Sequence, residues 1–84
     1  MKILIVDENP TSQTSLANQL QMWGHEVISL KNGLDALEAT RNDLFDVIIT
    51  NWSIPGLKGP ELCSAIRKNE QQSNHTSFII LLTS

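Results

Sequence analysis

Four short apolar runs punctuate the chain: residues 3–6, 27–30, 47–50 and 78–82. They are rich in β-branched side chains, and the first, third and fourth are continuous rather than alternating. Continuous runs suit strands covered on both faces, as in a parallel sheet. Between them lie segments with helical spacing. Asn9-Pro10 supplies a cap and a first-turn proline, after which Leu16, Leu20 and Trp23 recur four and three residues apart. That spacing predicts an inward face that includes Trp23, with Gly24 as the C-terminal stop. Asn32-Gly33 opens a second helix, with Leu34, Ala36 and Leu37 expected on its inner face. Pro60 sits in the first turn of a third, carrying Leu62, Ala65 and Ile66, and the polar stretch from Asn69 to Ser77 reads as a loop.

The order is therefore β-α-β-α-β-α-β in strict alternation, with no internal repeat. Right-handed crossovers turn that order into an α/β fold, a doubly wound parallel sheet with helices on both faces. Ligands of such sheets bind beyond the carboxyl ends of the strands, where the strand order reverses.

Composition narrows the class. A chain of 84 residues is enough for one small domain, and 40% apolar with 18% charged is ordinary globular usage. A net charge of −3 argues against nucleic-acid binding by this segment, since no basic patch is present to displace counterions. The single Cys63 excludes an internal disulfide and fits a reducing compartment. No run has the length of a membrane span or of a signal-peptide core. The expectation is a cytoplasmic module with no membrane partner.

The residues after each strand carry the candidate chemistry. Asp7 and Glu8 follow the first run, Asn51 and then Trp52 to Gly59 follow the third, and Thr83 and Ser84 follow the fourth. If strands one and three are neighbours, Asp7, Glu8 and Asn51 converge. Adjacent carboxylates repel, and a hard divalent cation resolves that repulsion. Taken alone, the dipeptide reads more readily as the start of a solvated turn.

The wider pattern tips the balance. Ile3-Leu4-Ile5-Val6-Asp7-Glu8-Asn9-Pro10 resembles the opening of the response-regulator receiver domains of two-component signalling, the CheY-like group with a flavodoxin-like fold. Gly24 to Val27, Asn32 to Leu37, Asp46 to Asn51, Ile54 to Gly59 and Ile79 to Ser84 resemble its later motifs, in order and at matching spacing. The resemblance implies that Asp7 and Glu8 match an acidic pair that holds magnesium, with the Ser53 backbone carbonyl as a further ligand. It also implies that Asn51 stands where an aspartate accepts a phosphoryl group from a partner histidine. Thr83 matches the switch hydroxyl, and Pro55 and Gly59 match the loop that shapes the acceptor's surroundings. A sensor histidine kinase or another signalling protein is the implied partner.

Three departures from the family bear on function. Phosphoryl transfer needs an anionic carboxylate as nucleophile, and the Asn51 carboxamide cannot give an acyl phosphate. Loss of that charge leaves Asp7 and Glu8 as the only acids of the metal site, so Mg2+ binding is expected to be weak or lost, with Asn51 at most a weak ligand. Glu8 stands where Asp is commoner, and its extra methylene moves the oxygens outward. Finally, the family continues with a helix, a fifth strand bearing a phosphate-pairing lysine, and a last helix. Residues 1–84 therefore read as a single receiver-like domain incomplete at the C-terminus, and a terminal carboxylate at Ser84 would oppose an incoming phosphate. Strand four becomes an apolar edge and one sheet face loses a cover, so association of copies through either is expected.

On this reading the chain is not an enzyme but a protein-interaction module that is not phosphorylatable. A natural degenerate copy, an engineered block at Asn51 and a longer regulator cut at Ser84 are all compatible with it. A reading from another class, a small flavodoxin-like nucleotide or flavin binder, would need a phosphate-cradling loop where the chain has Asp7-Glu8. A phosphatase-like protein would need an aspartate at the position of Asn9. His25, His75 and Cys63 lack neighbours at ligand or nucleophile spacing, Lys58 is not at the family lysine's place, and Arg67 and Lys68 suit a helix end without further role. Trp52 is equally compatible with the pocket entrance and with packing over the loop.

Overall fold

Strand and helix alternate along residues 1–83, which a computed structural model describes. The elements are β1 (Lys2–Val6), α1 (Pro10–Met22), β2 (Glu26–Leu30), α2 (Gly33–Asn42), β3 (Val47–Asn51), α3 (Gly59–Glu70) and β4 (Phe78–Leu82). The strands form one parallel sheet in the order β2-β1-β3-β4, so the winding reverses between β1 and β3.

Side-chain alternation along the strands separates two unlike faces. On one, Leu4, Val6 and Ile48 pack with Ala36 and Leu37 of α2 and with Leu62 and Ile66 of α3, closed by Phe45 and Ile54. The other face begins with Ile3 and Ile5, both buried, where α1 packs against β1 and β2. In register with them lie Val47 and Ile49 of β3, then Phe78 and Ile80 of β4. There the cover ends: Phe78, Ile80 and Leu82 are 66%, 37% and 43% exposed.

Helix starts follow their caps. The Asn9 side chain accepts hydrogen bonds from Thr11 N and Ser12 N, satisfying donors that the first turn leaves free. Asn32 accepts from Asp35 N and returns a bond from Nδ2 to the Asp35 carboxylate. Lys58 occupies the cap position of α3 without a side-chain bond, and Pro60 supplies the preset backbone instead.

Four expectations need correction. Trp23 is 66% exposed rather than core, because α1 ends at Met22 and the cap backbone at Trp23 has left the helical path. The spacing from Leu20 therefore no longer aims the indole at the sheet. Leu34 is 58% exposed: Gly33, Ala36 and Leu37 form the inner stripe of α2, and Leu34 lies off it, towards Gly56. The helix expected to stop before Asn69 runs to Glu70. Arg67 does more than suit a helix dipole. It donates to the Glu70 carboxylate at 2.6 Å and to the Ser77 carbonyl at 2.8 Å, tying α3 to the start of β4.

Candidate functional site at the carboxyl ends of β1 and β3

The last register pair of β1 and β3 is Val6 with Thr50, so one step further the chain sets Asp7 beside Asn51. Asp7 is 7% exposed. Its N–H donates to the Leu30 carbonyl at 3.0 Å, which keeps the strand end against β2, and its Oδ1 accepts from Asn9 N at 2.9 Å. The turn that caps α1 thus also orients the Asp7 carboxylate. Glu8, next in sequence, is exposed at the rim. Asn51 is half-buried as the last residue of β3.

The loop leaving Asn51 is held on three sides. Trp52 N donates to Leu82 O and Gly59 N to Trp52 O, each at 2.8 Å, so the start of α3 is tied to the ends of β3 and β4. A side chain at Gly59 has no room, since its Cβ would stand 2.6 Å from the Asn51 carbonyl oxygen. Gly33 N donates to Pro55 O at 2.8 Å, and a Cβ there would come within 2.7 Å of Leu57 Cβ. Gly56 takes φ +86°, a left-handed conformation that a side chain disfavours. Ser53 and Trp52 are exposed on this loop, and Ile54 is buried beneath it.

Thr83 follows β4 and is exposed, next to Leu82, the register partner of Asn51. Asp7 and Asn51 are therefore neighbours across a strand pair, with Ser53 and Thr83 around Asn51 and Glu8 facing solvent. The expected carboxylate at Ser84 lies outside the described residues. Among the described residues no three His, Cys, Asp or Glu side chains assemble into a metal-binding group. The oxygen donors gathered here are one buried carboxylate, one exposed carboxylate, a carboxamide and backbone carbonyls.

Gln13 escaped the sequence reading. It is buried, and its Nε2 donates at 2.8 Å to the same Leu30 carbonyl that receives Asp7 N–H. Its signal was present, because Gln13 is in helical phase with Leu16 and Leu20. A hollow of about 510 Å³ runs along the outer side of α1 from Pro10 to Asn18, lined by Thr11, Thr14 and Ser15.

Several charged and histidine side chains elsewhere have structural partners. Lys2 Nζ bonds Asp43 and lies 3.5 Å from Glu26, with the Phe45 ring beneath it. The bond to Asp43 raises the Lys2 pKa and lowers that of Asp43. His75 Nε2 bonds the Phe45 carbonyl at 2.6 Å, and His25 Nδ1 bonds the Met1 amine at 3.1 Å.

A doubly wound parallel sheet with a buried aspartate at its switch point defines the class: a flavodoxin-like α/β protein of the CheY type. The chain belongs to the response regulator receiver domain family, whose model matches residues 3–84. It is similar to the sensor protein GacS of Pseudomonas syringae pv. syringae, 31% identical over 98% of this chain and 9% of GacS. It is also similar to the protein PilH of Pseudomonas aeruginosa, 33% identical over 86% of this chain and 60% of PilH. Among solved structures, the response regulator TrrA of Thermotoga maritima in complex with Mg(2+)-BeF superposes with a TM-score of 0.85 at 34% identity. That match covers 98% of this chain and 68% of TrrA. The chain thus spans less than two thirds of the length of these two sequence relatives.

Proposed function

We propose that residues 1–84 are a single receiver-like domain in which Asn51 replaces the phosphate-accepting residue, so that the module regulates through protein contact and not through an aspartyl phosphate. The observation that supports this is the β1–β3 register, which ends at Val6–Thr50 and so brings the strand ends that carry the buried Asp7 and Asn51 next to each other. An acyl phosphate needs a carboxylate oxygen as nucleophile, and a carboxamide has none to offer. Asp7, Glu8, the Ser53 carbonyl and the Asn51 amide oxygen would hold magnesium only weakly, because two carboxylates remain and Glu8 stands out in solvent. The TrrA complex with Mg(2+)-BeF supports magnesium as the ion to test. Thr83 would act as the switch hydroxyl. The module is not an enzyme on this reading. Its partner is a sensor histidine kinase or another signalling protein of the cytoplasm, which the likeness to the sensor protein GacS supports. A second copy of the chain is a further candidate partner, through the exposed fourth strand or the uncovered sheet face.

Magnesium titration followed by Trp52 fluorescence tests the reading, with Trp23→Phe removing the distant second indole. Quenching is expected to be weak or absent with Asn51 and clear in Asn51→Asp. Equal, tight binding by both would refute the account of the metal site. Incubation with a small phosphodonor is expected to leave the mass of the chain unchanged. A hydrolysable phosphoryl adduct at position 51 of the unsubstituted chain would refute the account of the acceptor.

A further inference from the structure

Hydrogen bonds around Asp7 close into a ring. Asp7 N–H donates to Leu30 O at 3.0 Å, and Gln13 Nε2 donates to the same oxygen at 2.8 Å. Gln13 N–H donates to Asn9 O at 3.0 Å, and Asn9 N–H returns to Asp7 Oδ1 at 2.9 Å. Gln13 enters the ring twice, with its main chain inside α1 and its side chain across to the end of β2. It thereby ties both ends of the Asp7 turn together. A carbonyl oxygen has two lone pairs, so Leu30 O is fully used. Asp7 Oδ1 is engaged by Asn9, while Oδ2 takes no bond from the described residues. None of their buried side-chain oxygens is both sealed and unbonded, so Oδ2 opens to solvent. The carboxylate has one oxygen pinned and one on offer.

The residue type at position 13 points the same way. Gln13 is in helical phase with Leu16 and Leu20, where an apolar side chain would pack on the sheet with no polar group to satisfy. A buried carboxamide costs free energy unless it is bonded, and what it adds once bonded is direction. We infer that Gln13 is a positioning residue for the Asp7 carboxylate: by bracing the Leu30 carbonyl from α1, it closes the ring that keeps Oδ1 on Asn9 N–H and leaves Oδ2 free for a cation. It touches no ligand itself and acts through Leu30 and Asn9. Outer partners of this kind fix the orientation of a metal-ligating group, and their loss lowers affinity by about 10- to 100-fold. Magnesium enters through the reading of the site proposed above, on which that effect rests; the orientation of Asp7 does not depend on it.

NMR of the unsubstituted chain without metal reads that orientation. Scalar couplings should place the Asp7 side chain in a single χ1 rotamer. Gln13→Met, of similar length but without a donor, should average those couplings over rotamers. So should Gln13→Leu, which matches its helical neighbours and serves where the methionine variant fails to fold. Leu16→Ala loosens α1 one turn further on and should leave Asp7 in one rotamer, which separates positioning from loss of stability. In Asn51→Asp with Trp23→Phe, Gln13→Met should weaken magnesium binding roughly tenfold by Trp52 fluorescence, and Leu16→Ala should not. Averaged couplings in the unsubstituted chain, a single rotamer in the Gln13 variants, or averaging by Leu16→Ala as well would each overturn the proposal. Unchanged magnesium affinity in the Gln13 variant would do the same. An Asn51→Asp chain that binds no magnesium would instead sink the reading of the metal site, and the couplings would still decide the role of Gln13.

Discussion

The two faces of the sheet are built from the same strands and end up in opposite condition. Beneath α2 and α3, Leu4, Val6, Ile48, Leu62 and Ile66 are sealed from solvent. Beneath α1, burial is complete over β1 and fades across β3 to the exposed Phe78, Ile80 and Leu82. Consecutive residues of one strand belong to different worlds: Ile79 packs on the core while Ile80 is open. Apolar character is therefore no guide to energetic weight here. What matters is which face the alternation assigns to a residue and whether a helix covers it.

That contrast can be broken by paired truncations. Leu62→Ala opens a cavity in a closed core and is expected to cost about 2–5 kcal/mol. Ile80→Ala removes side-chain atoms that are already partly in water, and is expected to stay within about 0.5 kcal/mol. Urea denaturation measures both, and similar losses would show that the two faces are alike in strength.

Gly33→Ala sharpens the same contrast from the packed side. The new methyl group must displace Leu57 and the loop beneath Asn51, an overpacking expected to cost about 1–3 kcal/mol. Thermal denaturation reads the loss, and a neutral result would mean that residues 52–58 shift freely.

A more modest loss than that at Gly33 is expected at the seam joining the closed face to β4. Burial pushes the Glu70 carboxyl up, but bonds from the Ser77 hydroxyl and N–H, with Arg67, outweigh it and hold the pKa below the ordinary 4.5. A carboxyl lowered on folding contributes stability that is fully present above its unfolded value and is lost as pH falls through the folded one. The chain should accordingly exceed Glu70→Gln in stability at neutral pH by about 1 kcal/mol, with the gap closing below pH 4.5. A gap that persists unchanged in acid would remove the carboxylate from this role.

The sequence by itself determined the order of elements, because strand runs, caps and proline positions are local signals that act within a few residues. Asn9, Asn32 and Pro60 each begin a helix where their chemistry says one should start. The family was legible too, since six motifs in register leave little freedom. Tertiary structure alone decided which apolar residues became core. Trp23 and Leu34 carry the right character and lie outside it, because a helix's last turn and its rotation about its axis are set by packing against neighbours. It also decided that Asp7 and Asn51 meet, since 44 positions of chain separate them and only the β1–β3 pairing brings them together. Gln13 and Arg67 gained their partners the same way, from Leu30 of β2 and from Ser77 just before β4, which the chain reaches only after folding back.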